Sequence, residues 1–174
     1  MTYQIDPKHS AAHFQVRHMN IAFVKGEFGN VTGTIDFDPA NPGATKIDAT
    51  IDVESLGTRD AARDGHIKTP DILYAEQFKT ITFKSTSVSK SGDGYKVAGD
   101  LTLRGATKPV TLDVLSVSDE VTDPWNLKRR GAQVRGEFKR SDFGMTWNME
   151  LPGVGVMVSD AVQVEIDLEF TRSA

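Results

Sequence analysis

The histidines are the first residues whose type and spacing could do chemistry. The chain has four, His9, His13, His18 and His66, and three of them fall between residues 9 and 18. Clustered imidazoles invite a zinc reading. Their spacing opposes it. In an extended strand successive side chains alternate faces, so His9 and His13 share one face and His18 takes the other, with Phe14 and Val16. Four residues of strand would also put His9 and His13 about 13 Å apart, too far to share an ion. No tightly bound metal is expected. His18 then has two readings. It is a core histidine bonded to backbone, or, with Arg17, it meets the polar head of an apolar ligand, because an imidazole can donate to a phosphate or quinone oxygen. As a catalytic base it would need a carboxylate partner, for which Asp64 and Asp142 are the candidates.

Other chemistries find little support. The chain has no cysteine, which removes thiolate ligands, disulfides and cysteine nucleophiles. Ser10, Ser85 and Ser141 sit in no Gly-x-Ser-x-Gly elbow, and no phosphate-cradling loop or metalloprotease helix occurs. Arg59, Asp60, Arg63, Asp64 and His66 form a mixed charge cluster. It reads either as a solvated face that anchors a loop or as a polar gate in which Arg63 and His66 meet a headgroup. Asp60 and Arg63 have the spacing of a helical ion pair. Asn126-Leu127-Lys128-Arg129-Arg130 is a short basic tip: a solvated hairpin end, or a point of transient membrane contact.

The elements that would position these residues are strands. Ile47, Ala49, Ile51 and Val53 alternate with polar neighbours. So do Ala132, Val134, Gly136 and Phe138, and so do Val162, Val164, Ile166, Leu168 and Phe170. Period two with one apolar face is the mark of a half-buried antiparallel strand. Further strands are expected at 9–18, 28–38, 80–90, 95–104 and 109–119. Ser91-Gly92-Asp93-Gly94 and Arg104-Gly105-Ala106-Thr107 are hairpin turns, and Pro39–Gly43 is a longer loop. Thr58–Asp64 reads as a short helix with Thr58 as its N-cap and Gly65 as its stop. Gly144–Val158 lacks a regular pattern yet carries Met145, Trp147, Met149, Leu151, Val154, Val156 and Met157. Such apolar content must be buried on something, and a lid or a plug over a barrel end both satisfy that need.

The totals set bounds. A chain of 174 residues suits one domain, 1–174, with a core large enough to need no staples. A net charge of −4 argues against a general nucleic-acid binder, and no apolar run is long enough for a transmembrane helix. With no leader pattern at its start, the chain as written is expected in the cytoplasm, or in the periplasm if it is a trimmed mature form. Eight or so strands hide their edges best by closing into a barrel. An interior of that size is filled by side chains or holds one slim ligand. The strand ending at Phe170 would span roughly 30 Å of barrel height after tilting, which suits a chain-like ligand over a compact one.

Several motifs fall in order along the chain. They are Ile5-Asp6-Pro7-Lys8-His9-Ser10 with Phe14-Gln15-Val16-Arg17-His18-Met19, then Arg63-Asp64-Gly65-His66-Ile67, then Gly99 to Val110 through Arg104-Gly105-Ala106-Thr107. Asp123-Pro124-Trp125 and Arg140-Ser141-Asp142-Phe143-Gly144 complete the set. Together they resemble the YceI family. The resemblance implies an all-β fold: an eight-stranded antiparallel, extended lipocalin-like barrel with a short helical excursion. It implies a polyisoprenoid or similar long-chain lipid in an elongated pocket, and no established catalytic residues.

Together these readings favour non-enzymatic binding, storage or transport of a long apolar lipid such as a polyisoprenoid, an isoprenoid quinone or a fatty acid or amide. The rivals are a lipid-processing enzyme using His18 and a filled-barrel structural protein. The expected pocket and lid residues are Phe14, Val16, His18, Met19, Ile67, Ile72, Leu73, Tyr74, Phe78, Phe83, Leu101, Phe143, Met145, Trp147 and Met157. Arg17, Arg63 and His66 are the expected headgroup contacts. No cofactor is expected beyond a bound lipid or quinone, and the protein is expected as a monomer or homodimer.

Overall fold

The computed structural model describes residues 1–173. Strands β1 (Thr2–Ile5), β2 (Ala11–His18), β3 (Ala22–Phe28), β4 (Val31–Asp36), β5 (Lys46–Asp52) and β6 (Leu56–Gly57) precede helix α1 (Ala61–Ile67). Then come β7 (Thr80–Ser91), β8 (Gly94–Leu103), β9 (Ala106–Val117), β10 (Val121–Thr122), β11 (Leu127–Lys139), β12 (Glu150–Leu151), β13 (Gly155–Val156) and β14 (Ala161–Ser173).

Eight of these strands close a ring. From β14 the antiparallel pairing runs through β11, β9, β8, β7, β5, β4 and β1 and returns to β14. Closure leaves no free edge around the ring. β2 extends the barrel upward from β1 on the same neighbour, with Phe14 opposite Val164 of β14. β3 pairs with β2, and β6 with β3, so these strands carry the sheet on from β2. The sheet order ends at β6, so the upper wall is split between β6 and β7. Helix α1 follows directly from β6, beside that split.

The alternation seen in the sequence sets the inside of the wall. Ile47, Ala49 and Ile51 of β5, Val134 and Phe138 of β11, and Val164, Ile166 and Leu168 of β14 all face the interior. The lower end is shut by large buried side chains. Tyr3 meets Phe170 edge to face at 5.2 Å, with Ile35 and Phe37 beside them in the core.

Three expectations need correction. The strand drawn at 28–38 is two strands, and β3 begins at Ala22, six residues earlier than expected. β2 and β3 form a tight hairpin whose central residues, Met19 and Asn20, have φ of 52° and 56°. The Ile21 amide donates to the His18 carbonyl at 3.0 Å. Two left-handed residues match the strand twist, but the turn lacks the glycine that usually announces it. The helix lies at Ala61–Ile67 and not at 58–64. Asp60 is its cap, accepting from the Arg63 amide at 2.9 Å, while Gly65 stays within the helix. Thr58 instead donates through its amide and its hydroxyl to the Asp64 carboxylate. The expected Asp60–Arg63 ion pair is absent for the same reason: Asp60 is engaged by backbone, and the guanidinium turns to Thr58.

Candidate ligand-binding site

The barrel interior holds three cavities in line. The lower one, about 60 Å³, lies among Ile35, Phe37, Val117 and Phe170. The middle one, about 150 Å³, is walled by aliphatics from β5, β7, β8, β9, β11 and β14. The upper one, about 260 Å³, lies at the split in the wall. Neighbouring cavities share walls. Ile47, Val97, Val134 and Leu168 border both the lower and the middle cavity. Phe14, Phe28 and Ile81 border both the middle and the upper one. The two phenylalanine rings, 5.6 Å apart, are the constriction between those cavities. Only side chains therefore interrupt an apolar path along the barrel axis.

The polar side chains that turn inward gather at the upper cavity, whereas His13, Thr82 and Glu137 border the middle one from strand positions that alternate outward. His18, Thr58, Arg63, His66 and Arg140 line it together with apolar side chains, and no carboxylate does. Strand parity turns His18 inward with Phe14 and Val16. Helix α1 delivers Arg63 from its first turn and His66 from its last. Arg63 donates through Nε to Thr58 Oγ1 at 2.8 Å and through Nη2 to the Thr58 carbonyl at 2.6 Å. That leaves Nη1 without a protein partner among the described residues. His66 sits between Asp71, at 3.0 Å, and the edge of the Trp147 ring, with centroids 4.7 Å apart.

Arg140 is the most buried of the charged groups here, at 6% exposure. It directly follows β11 and donates to four carbonyls: Ser159 at 3.0 Å, Met145 at 2.9 Å, Trp147 at 2.8 Å and Val158 at 3.4 Å. Burial lowers its pKa, and the nearby Asp160 charge opposes that shift. A guanidinium remains charged through such a shift. The upper cavity thus carries fixed positive charge at one end of an otherwise apolar path.

The segment expected to be irregular, Gly144–Val158, is pinned over this end by Arg140. Within it β12 and β13 form a small hairpin. Met145, Trp147, Met157 and Val158 line the upper cavity, while Met149, Val154 and Val156 face solvent.

Of the expected pocket residues, the fold gathers Phe14, Val16, His18, Ile67, Ile72, Leu73, Met145, Trp147 and Met157 around the upper cavity, with Arg63 and His66. Phe83 and Leu101 lie in the middle cavity. The others stand apart. Met19 is in the β2–β3 turn, bonded through its amide to Met157. Tyr74 and Phe78 pack on each other at 5.8 Å in the segment after α1, and Phe143 is buried against Phe138 at 5.4 Å. Arg17 points outward, its guanidinium 4.9 Å from the Phe23 ring centroid, because it alternates with Val16 and His18. It is therefore not in the cavity with Arg63. Arg140 was missed as a wall residue. Nothing in a lone arginine at a strand end separates it from a surface cation.

The other histidines are outside the cavities' polar end. His9 Nδ1 lies 2.8 Å from Asp6. Asp6, His9 and Glu169 bring ligand-type atoms within 4.8 Å of one another. Arg129 already supplies the cation there, at 2.8 Å from Asp6 and 2.6 Å from Glu169. Its guanidinium bond is the main reason the Asp6 carboxyl falls to about 2. The Asp123 carboxyl is also lowered, chiefly by the Leu127 amide. This cluster ties the start of the chain to β11 and β14.

Closed antiparallel barrel, split upper wall and an axial apolar path with a cationic end together define an extended lipocalin-like barrel. The chain belongs to the YceI family: the YceI-like domain model matches residues 3–170. It is similar to Protein YceI of Salmonella newport (strain SL254), 38% identical over 149 residues, which is 84% of this chain and 78% of that protein. The fold is similar to that of BcnA from Burkholderia cenocepacia, with a TM-score of 0.82, 24% identity and coverage of 95% of this chain and 98% of that one. It is also similar to a polyisoprenoid-binding domain from Saccharophagus degradans, with a TM-score of 0.66, 17% identity and 97% of each chain covered.

Proposed function

We propose that this protein binds one long apolar lipid along the barrel axis, with the polar head at the upper cavity, and stores or carries it without transforming it. One observation carries the reading: three apolar cavities in line, ending in a carboxylate-free site with Arg63, Arg140, His18 and His66. The name of the Saccharophagus domain, a polyisoprenoid-binding domain, agrees with it. An isoprenoid chain is the ligand we favour, because a flexible linear chain that bears only methyl side groups follows a narrow path past Phe14 and Phe28. Isoprenoid quinones and fatty acids or amides share the same design of apolar tail and polar head.

The energetics reward length. Each buried methylene contributes about 0.8 kcal/mol against an association cost on the order of 4–15 kcal/mol. A short tail is left with little surplus. Catalysis by His18 is disfavoured by the geometry of its candidate partners. Asp64 is engaged by Thr58, and Asp142 does not line the cavity.

The test is a series of prenols of increasing chain length, titrated by following Trp147 fluorescence in a Trp125→Phe background. Affinity should climb with length and level off once the barrel is filled. Equal affinity for the short and the long members would refute axial binding.

A further inference from the structure

The upper mouth has an unusual rim. The β2–β3 hairpin and the β12–β13 hairpin meet there. The Asn20 side-chain amide donates to the Val154 carbonyl at 2.9 Å, the Met19 amide donates to the Met157 carbonyl at 2.8 Å, and His18 bridges Val158. The two tips expose Ile21 at 73%, Phe23 at 42%, Met149 at 48%, Val154 at 39% and Val156 at 40%. They are five of the nine large apolar side chains that face water among the described residues, and the other four, Met1, Leu115, Val121 and Trp125, lie outside these two hairpins. A cluster of exposed large apolar residues marks a contact surface.

We propose that these two tips form a docking surface for an anionic lipid bilayer. Three features of the rim favour that occupant. First, the patch is continuous with the mouth, since Met157 and Val158 of the same segment line the upper cavity. A lipid leaving a bilayer through this rim would pass from one apolar phase to another without crossing water. This step rests on the lipid-carrier reading above. Second, the charge on the tips is of the right sign. Residues 17–25 carry Arg17 and Lys25 and no acid, and residues 144–158 carry only Glu150, although the whole chain has a net charge of −4. Arg17 lies against Phe23 at 4.9 Å, so an aromatic ring and a guanidinium are presented together, as they are at membrane interfaces. Third, five side chains at two projecting tips are too few for a second copy of the chain, because a stable protein interface takes about 20–30 residues a side.

The test is flotation with vesicles of phosphatidylglycerol and phosphatidylethanolamine, and with phosphatidylcholine alone. Three proteins are compared: the wild type, an Ile21→Asp/Val154→Asp variant and Trp125→Ser. Trp125 is 77% exposed and lies at the other end of β11, so it controls for general stickiness. Ile21→Ser serves as a milder variant if the double change disturbs folding, and circular dichroism checks each protein. The wild type should float with the anionic vesicles and much less with phosphatidylcholine. The tip substitutions should weaken that capture about tenfold or more, and Trp125→Ser should leave it intact. Equal capture of wild type and tip variants would overturn the proposal. So would a dimer, seen by light scattering, that the tip substitutions dissociate. Lipid uptake into the barrel is read separately, by the mass of the intact protein. A protein that takes up lipid but ignores vesicles refutes docking alone, and one that floats but never takes up lipid refutes the carrier reading.

Discussion

Replacing Arg140 with methionine would test what holds the mouth together. Methionine keeps the unbranched stem and removes the guanidinium. The four carbonyls it serves belong to Met145, Trp147, Val158 and Ser159, the two ends of the segment over the upper cavity. Val158 retains a partner, because its carbonyl also accepts from the Asn148 side chain at 2.7 Å. The other three lose theirs. Hydrogen bonds to a charged donor are each worth about 1.5–3 kcal/mol. Against them stands the cost of burying the guanidinium, visible in its lowered pKa and on the order of several kcal/mol. The net loss should be about 2–4 kcal/mol, concentrated in residues 145–159. Urea unfolding reads the global part, and hydrogen exchange reads the local part. The midpoint should fall, and amides in 145–159 should exchange faster than those of β14. Arg140→Lys should be nearly as damaging, because one ammonium cannot reproduce a planar fork aimed at several carbonyls. An unchanged midpoint with unchanged exchange in 145–159 would refute this account of the mouth, and full rescue by lysine would refute the geometric part of it.

Other outcomes follow from the same structure. Phe14→Ala should join the middle and upper cavities, cost about 2–4 kcal/mol in thermal unfolding and speed ligand exchange in stopped-flow fluorescence. Gly26→Val should destabilise by about 1–3 kcal/mol in the same melt, because a Cβ there would stand 2.4 Å from the Phe14 ring. Asp6 has a folded pKa of about 2 against an ordinary value of 3.8, so its stabilising contribution is full above pH 4 and is lost as pH falls towards 2. Allowing for solvent screening, Arg129→Gln should remove roughly 1–2 kcal/mol at neutral pH, and less near pH 2, in urea titrations. Trp147→Ala should weaken lipid binding with a modest stability loss if the 144–158 segment is a lid, whereas a loss of several kcal/mol with unchanged binding would make it a plug.

The legible parts of this fold are those governed by period-two alternation. The inward faces of β5, β11 and β14 are read directly from Ile47 to Ile51, Val134 to Phe138 and Val162 to Phe170, and the parity of β2 places His18 inside. β3 was hidden because its turn uses Met19 and Asn20 in place of glycine, and because Gly26 interrupts its apolar face. The helix was misplaced by three residues because Thr58 and Asp60 are both good caps, and only the contact between Thr58 and Asp64 decides between them. Composition singled out the 144–158 segment but not its anchor. The role of Arg140 depends on four carbonyls that no local pattern brings together. Tyr74, Phe78 and Phe143 are aromatic and near the right elements, yet they pack on one another or on Phe138, a tertiary choice among equally apolar neighbours.

The central claim is that the axial path holds a single long apolar molecule. Native mass spectrometry of the protein, purified without detergent and then incubated with a long polyprenol or an isoprenoid quinone, tests it most directly. A complex of one lipid per chain should survive transfer to the gas phase and be diminished by Ala49→Trp, which places a large ring in the middle of the path. A folded protein that stays at its bare mass under those conditions would contradict it, as would uptake that is indifferent to Ala49→Trp.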